Sequence, residues 1–248
     1  MGLGDELMAL GQARRLVERE KLRGKVEIVD INGNRRSHYL WQQAAEVAKV
    51  GEPAAARIVH SGGCRPYVDY ERTTPDRWAW NDEHRPAPGK LYGITPDARA
   101  RGLIVIEPEI KRSASVNKQW GAWQSLVDAE PSLPWAQVGT HSTQWLRRVR
   151  RLPARTFEDA CRLLAASRCA ILPEGGLHHA AAALGTRAVV LFGAYIPPEV
   201  TGYDFQVNVA VSDAEATGWR TENSRCRAAW ETITARTVMD RMASAGWI

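Results

Sequence analysis

Between Cys169 and Gly193 the chain reads CAILPEGGLHHAAAALGTRAVVLFG, and this stretch limits the possible folds more than any other. Cys169 to Leu172 and Ala188 to Phe192 are apolar throughout, the pattern of strands covered on both faces. Leu177 to Leu184 lies between them as a helix of small residues ended by Gly185. Two buried strands joined through a helix make a βαβ unit, whose strands run parallel. The alanines from Ala180 to Ala183 let that helix pack close to the sheet.

The same rhythm recurs. Leu103 to Ile106 (LIVI) is a doubly covered strand, Trp135 to Val138 a second and Arg148 to Leu152 a third. An amphipathic helix is expected from Lys118 to Asp128, carrying Trp120 and Trp123. Thr156 caps a helix through Ala166, with Glu158 and Asp159 in its first turn, and a last helix spans about Ser224 to Ala243. Upstream, Asp5 to Arg19 is helical, and Lys25 to Ile31 is a strand closed by Asn32-Gly33-Asn34. Ser37 is placed to cap a helix running to about Lys49. Arg57 to His60 reads as a strand, after which Pro66, Pro75, Pro86 and Pro88 break the pattern up to about Gly93. There Trp78 and Trp80, alternating with Arg77 and Ala79, are suited to pack a loop onto a sheet. The expectation is an α/β chain with an irregular first part over 1–96, a Rossmann-like part over 97–222 and a C-terminal helix over 223–248.

Composition excludes several classes. Hydrophobic residues at 44% and charged residues at 25% rule out a mainly disordered chain. No uncharged apolar run approaches the roughly 20 residues that cross a bilayer. Asp5 and Glu6 stand where a secretory signal carries its cations, so a cytoplasmic protein is expected. Cys64, Cys161, Cys169 and Cys226 are far apart with no C-x-x-C pair, which suggests neither a zinc site nor a disulfide framework. The net charge of +5 favours phosphate-bearing or acidic ligands.

The chemistry points to Pro173-Glu174-Gly175-Gly176. Two glycines where a strand turns into a helix expose backbone N–H groups, and the helix start adds unpaired donors and positive potential suited to a diphosphate. Glu174, at the strand's carboxyl end, is placed to accept ribose hydroxyls. A plain tight βα turn with two structural histidines fits the same residues. His178 and His179 are about 100° apart around the helix, so one faces the cleft and the other a neighbouring element. No Asp-x-Asp metal pair, no Gly-x-Gly-x-x-Gly after a strand and no Gly-Lys-Ser/Thr occurs, which argues against metal-chelating transferases, nicotinamide dehydrogenases and P-loop nucleotidases.

This segment resembles the donor-binding motif of glycosyltransferase family 9, the ADP-heptose lipopolysaccharide heptosyltransferases and their relatives. Gly176-Leu177-His178-His179 fits with His179 in the family's histidine position, Glu174 stands near its acidic position, and Phe192-Gly193 with Pro197-Pro198 resembles its strand end and proline loop. Glu107 to Asp128 (EPEIKRSASVNKQWGAWQSLVD) resembles the strand, polar loop and Lys-x-Trp helix start of the family's C-terminal domain, and Thr156 to Ala166 the helix before the donor strand. Gly2-Leu3-Gly4-Asp5 resembles the Gly-x-Gly-Asp loop whose aspartate is the acceptor base, although an aspartate at a helix start is also a routine cap.

The resemblance implies a GT-B-like pair of Rossmann-like lobes, with a reduced acceptor-side lobe over 1–96 and a nucleotide-sugar donor lobe over 97–222. It implies inverting transfer, independent of metal and cofactor, from a nucleotide-diphosphate sugar (an ADP-sugar by analogy) to an acceptor hydroxyl. Asp5 would be the base, and Ser113, Ser115 and Lys118 would meet the phosphates. Glu174, Gly175, Gly176, His178 and His179 would hold the donor. The implied acceptor is a lipopolysaccharide-type glycan. Two rival readings are a transferase acting on modified bases in DNA and a non-catalytic nucleotide-sugar binder. Arg147, Arg148, Arg150, Arg151 and Arg155 suit either a phosphorylated or nucleic-acid partner or a solvated sheet edge. Most of the ten tryptophans are expected to be packing residues, with a few left to form a stacking surface for sugars or bases.

Overall fold

A computed structural model describes residues 2–74, 78–109, 118–211 and 224–248. In chain order the elements begin with α1 (Leu3–Glu18), β1 (Val26–Val29), β2 (Ala56–Val59), β3 (Val68–Asp69) and β4 (Ala79–Trp80). Next come β5 (Ile104–Ile106), α2 (Trp123–Ala129), β6 (Trp135–Gly139), β7 (Arg150–Pro153) and α3 (Phe157–Ala166). The chain continues through β8 (Cys169–Pro173), α4 (Gly176–Leu184), β9 (Ala188–Phe192), α5 (Pro198–Thr201) and β10 (Val207–Ala210). It closes with α6 (Ser224–Trp230) and α7 (Ala235–Ser244).

Six strands form one sheet in the order β10-β9-β8-β5-β6-β7, and every pairing is parallel. Such a sheet must be covered twice, and the period of two in β5, β8 and β9 sends alternate residues to opposite faces. Ile104, Ile106, Ile171 and Leu191 meet Trp120, Trp123, Leu126, Val238 and Met242 on one side. Val105, Leu172, Val190 and Phe192 meet Leu7, Leu163, Leu164 and Ala180 on the other. The first β5 strand has its successors β6 and β7 on one flank and β8, β9 and β10 on the other. This is the strand order of a doubly wound sheet, and it opens a crevice beyond the carboxyl ends of β5 and β8.

The first ninety-odd residues hold much less sheet. β1 and β2 form a two-stranded parallel pair, and β3 and β4 a short antiparallel one. The anticipated pair of Rossmann-like lobes is therefore very uneven. α1 lies between the two parts: Leu7 enters the core of the large sheet, while Ala9, Leu10 and Ala13 pack on Val26, Ile28 and Trp41.

Four local expectations are corrected. No helix follows Ser37; only Tyr39–Trp41 turns as a 3-10 helix. Val26 takes Glu46 and Ala48 as backbone partners, so pairing along β1 replaces helix formation there. α2 begins at Trp123 rather than Lys118, because Trp120 turns inward and its Nε1–H donates to the Ile233 carbonyl at 2.8 Å. Arg148 has φ of +58°, a left-handed turn conformation, and the strand starts only at Arg150. The C-terminal helix is two helices, since Thr234 accepts a hydrogen bond from the Thr237 N–H and starts α7 afresh. Cys64, Cys161 and Cys169 are free thiols, and no helix among the described residues is long and apolar enough to cross a membrane.

Candidate functional site

The crevice at the end of β5 and β8 is bounded by Glu107, directly after β5, and Glu174, directly after β8. β8 ends because Gly175 and Gly176 turn the chain into α4. A Cβ on Gly175 would come no nearer than 4.0 Å to another heavy atom, so its main chain is uncovered on that side. Gly176 instead packs beside Phe157, Leu3 and Gly4. The amino ends of α1 and α4 thus converge. Gly4 is needed for that approach, because a Cβ there would sit 2.8 Å from Cδ2 of His179. Two helix amino ends at one point concentrate unpaired N–H groups and positive potential, which suits an anion.

Asp5 stands at this junction in the first turn of α1. Its Oδ1 accepts hydrogen bonds from Tyr67 Oη at 2.6 Å and Arg65 Nε at 3.0 Å, and Oδ2 accepts the Gly2 N–H at 3.1 Å. Burial by itself would raise the carboxyl, but Arg65 beside it and the Tyr67 hydroxyl outweigh that and hold it below its usual value. Asp5 is therefore a helix cap and also a carboxylate clamped by side chains about sixty residues away. Neither Arg65 nor Tyr67 is marked by spacing in the sequence, since only the fold brings them to Asp5.

Across the crevice Lys118 Nζ contacts the Glu174 carboxylate, itself only 4% exposed. Burial draws the Lys118 ammonium below its ordinary range, against the opposing pull of Asp5. Lys118 also lies 5.2 Å above the Tyr195 ring. It sits ahead of α2, not in its first turn, and reaches the amino end of α4 through Glu174. Ser113 and Ser115 lie outside the described residues.

Both histidines point inward. His178 has no exposed surface and packs edge-on against Phe192, with ring centroids 5.7 Å apart. His179 places Nδ1 2.8 Å from the Tyr203 hydroxyl and Nε2 3.8 Å from Glu174 Oε1. Burial lowers both, His179 to about 3, with the Lys118 charge adding to the effect, so both rings are neutral at physiological pH. Glu174, His178 and His179 offer ligand atoms within 4.8 Å of one another, the one such group among the described residues. The Lys118 ammonium already on Glu174 and the positive end of α4 work against a cation there and favour an anion.

Glu107 is a further residue the motifs did not single out. Burial pushes its carboxyl up to about 8, with Glu109 adding to the rise. An acidic residue directly after an all-apolar LIVI strand was the available signal. The arginine cluster lies on and around the edge strand β7, with Arg150 and Arg151 in the strand and Arg147, Arg148 and Arg155 flanking it. Arg147 and Arg148 face Asp128 at 3.4 and 3.9 Å, and Arg151 lies 5.9 Å above the Trp145 ring.

No family model and no curated protein sequence matches the chain. Solved structures do. The dodecameric iron-containing heptosyltransferase TibC of enterotoxigenic E. coli H10407, solved with ADP-D-beta-D-heptose, aligns with a TM-score of 0.51 at 16% identity. That alignment covers 64% of this chain and 49% of TibC. E. coli heptosyltransferase WaaC with ADP-2-deoxy-2-fluoro heptose aligns at 0.45 and 15% identity, over 60% of this chain and 45% of WaaC. The chain spans about half the length of these structures. The likeness establishes the fold, the Rossmann-like α/β architecture of GT-B heptosyltransferases.

Proposed function

We propose that the chain is a glycosyltransferase that moves a sugar from a nucleotide-diphosphate sugar to an acceptor hydroxyl, with inversion at the anomeric carbon. The observation that carries this reading is the meeting of Asp5, Lys118 and Glu174 between two converging helix amino ends at the doubly wound crevice. An anion site and a separate carboxylate within electrostatic reach of its lysine are what transfer from a diphosphate leaving group requires.

In this mechanism the donor diphosphate lies over the Gly175 main chain and draws Lys118 from Glu174. Glu174 is then available to the donor's hydroxyls. The acceptor oxygen attacks the anomeric carbon from the opposite side, and its proton passes to Asp5. The bond to the diphosphate breaks with its electron pair on the leaving oxygen, whose charge Lys118 and the helix end meet. This arrangement supplies its positive charge from the protein, so transfer is expected to persist in the presence of a chelator. By likeness to TibC, whose solved complex contains ADP-heptose, an ADP-sugar is the first donor to try and a lipopolysaccharide-type glycan the first acceptor. Residues 1–96 serve as the acceptor side and 97–222 as the donor side.

The test is a thermal-shift and turnover screen against ADP-, UDP-, GDP- and CDP-sugars. One of them is expected to raise the melting temperature and to release free nucleoside diphosphate when an acceptor is present. Saturable binding without release across glycan and hydroxymethylated-DNA acceptors would overturn the enzymatic reading in favour of a nucleotide-sugar binder.

A further inference from the structure

The acceptor side carries a feature that the donor chemistry does not use. The β3–β4 hairpin presents Trp78 and Trp80 two residues apart, with ring centroids 6.0 Å from each other. Tyr195, in the loop after β9, lies 6.2 Å from both. Tyr67 stacks on Trp80 at 6.3 Å. Each end of this wall touches the site already described. Arg65 lies 5.5 Å over the Trp78 ring while its Nε holds Asp5, and Lys118 lies over Tyr195 while its ammonium holds Glu174. A continuous aromatic surface therefore runs from the carboxylate of the first part to the ion pair of the second. Tyr67 and Tyr195 are buried in it, whereas Trp78 and Trp80 remain half-buried.

We propose that Trp78 and Trp80, backed by Tyr195, form the acceptor subsite and hold an uncharged pyranose ring by its C–H face beside Asp5. The inference rests on the transferase reading above and names the substrate class that its acceptor side takes. A sugar ring has apolar C–H faces and hydroxyl edges, which matches partly open indole surface linked to Asp5 through Arg65. Charge around the hairpin is largely paired off, since exposed Arg72 holds both Asp69 and Asp82 and exposed Arg85 offsets Glu71 and Glu83 in part, so the rim carries no strong field and suits an uncharged ligand.

The test measures acceptor binding and donor binding separately. Neutral methyl glycosides in the gluco, galacto, manno and heptopyranose series are offered to the full chain, alongside an oligonucleotide carrying 5-hydroxymethylcytosine. Saturation-transfer NMR is expected to mark the ring C–H protons of at least one glycoside, which also changes the tryptophan emission of the unaltered protein. The double variant Trp78→Ala, Trp80→Ala should weaken that binding at least tenfold, whereas Trp80→Phe should stay within threefold. Nucleotide-sugar binding by calorimetry should not change in either variant. The proposal is overturned if no glycoside binds and quenches tryptophan emission in the unaltered protein. It also fails if glycoside binding survives the double alanine variant, or if only the oligonucleotide binds. A chain that binds glycosides through these tryptophans but no nucleotide sugar would instead sink the transferase reading, so the two failures are distinguishable.

Discussion

The six-stranded sheet and the first ninety residues solve the same problem of burying backbone in different ways. In the sheet, every strand from β5 to β9 is paired, and its residues alternate between two cores. Local sequence therefore determines burial, and the site falls where the strand order reverses. In the first part, two short strand pairs leave most burial to contacts between distant segments. Trp41 donates its Nε1–H to the Glu6 carbonyl, Arg36 pairs with buried Glu6, and Tyr67 and Arg65 reach back to Asp5. The sheet supplies a helix start suited to an anion, and the first part supplies a positioned carboxylate. Substitutions in each should therefore fail in different ways.

The largest expected effect separates the two chemically. Asp5→Asn should lower the turnover rate about 10³-fold while donor affinity by calorimetry stays within threefold, because general-base groups contribute about 10²–10⁴-fold. A matching loss of donor affinity would mean that Asp5 belongs to the anion site. Next, Gly11→Ala should destabilise the chain by about 3 kcal/mol in urea unfolding, by the cost of overpacking. Its Cβ would lie 1.8 Å from the Ala87 carbonyl oxygen, a main-chain atom that cannot swing aside. The sharper form of the comparison is whether this loss melts the first part alone or the whole chain.

Lys118→Met should weaken donor binding by about 2 kcal/mol, the range for truncating one partner of a buried charge pair. Lys118 also predicts a pH dependence. Its proton leaves at lower pH than that of a surface lysine, so donor affinity should fall as pH rises, before exposed lysines near about 10.4 titrate. Lys118→Arg should flatten that fall, since a guanidinium stays charged. Tyr67→Phe removes one hydrogen bond from Asp5 and should raise its pKa, moving the acid limb of the turnover profile upward. The stability contribution of Asp5 is present above its unfolded pKa and lost as pH falls through the lower folded one. In the variant that loss should be smaller and complete at a higher pH, with about 1 kcal/mol less stability near neutrality. Smallest of all, Arg148→Gly should stabilise the chain by about 0.5–1 kcal/mol in the same unfolding assay, by relieving a left-handed φ.

Legibility followed the same division. The run from Cys169 to Phe192 gave strand, helix and strand within a residue or two, because both faces of a parallel strand must be apolar whatever covers them. Thr156 and Gly185 marked helix ends through local chemistry and stand where expected. Ser37 misled because β1 recruits the following segment as a pairing partner, a tertiary gain that cap signals do not encode. Glu174 and Lys118 were marked by motif, but their contact across the crevice was not. Arg65 and Tyr67 could not be found from spacing at all, since a clamp closing over sixty residues leaves no periodic trace. Of the two histidines, His179 lies beside Glu174 under the close approach of α1 at Gly4, while His178 packs on Phe192 with no exposed surface.

That close approach has a mechanical corollary. α1 carries Asp5 in its first turn, touches the start of α4 through an unadorned glycine, and within a few residues joins both interiors. With Asp5 as the proposed base, any rocking of one part against the other would turn about this shared axle and carry that carboxylate along with it.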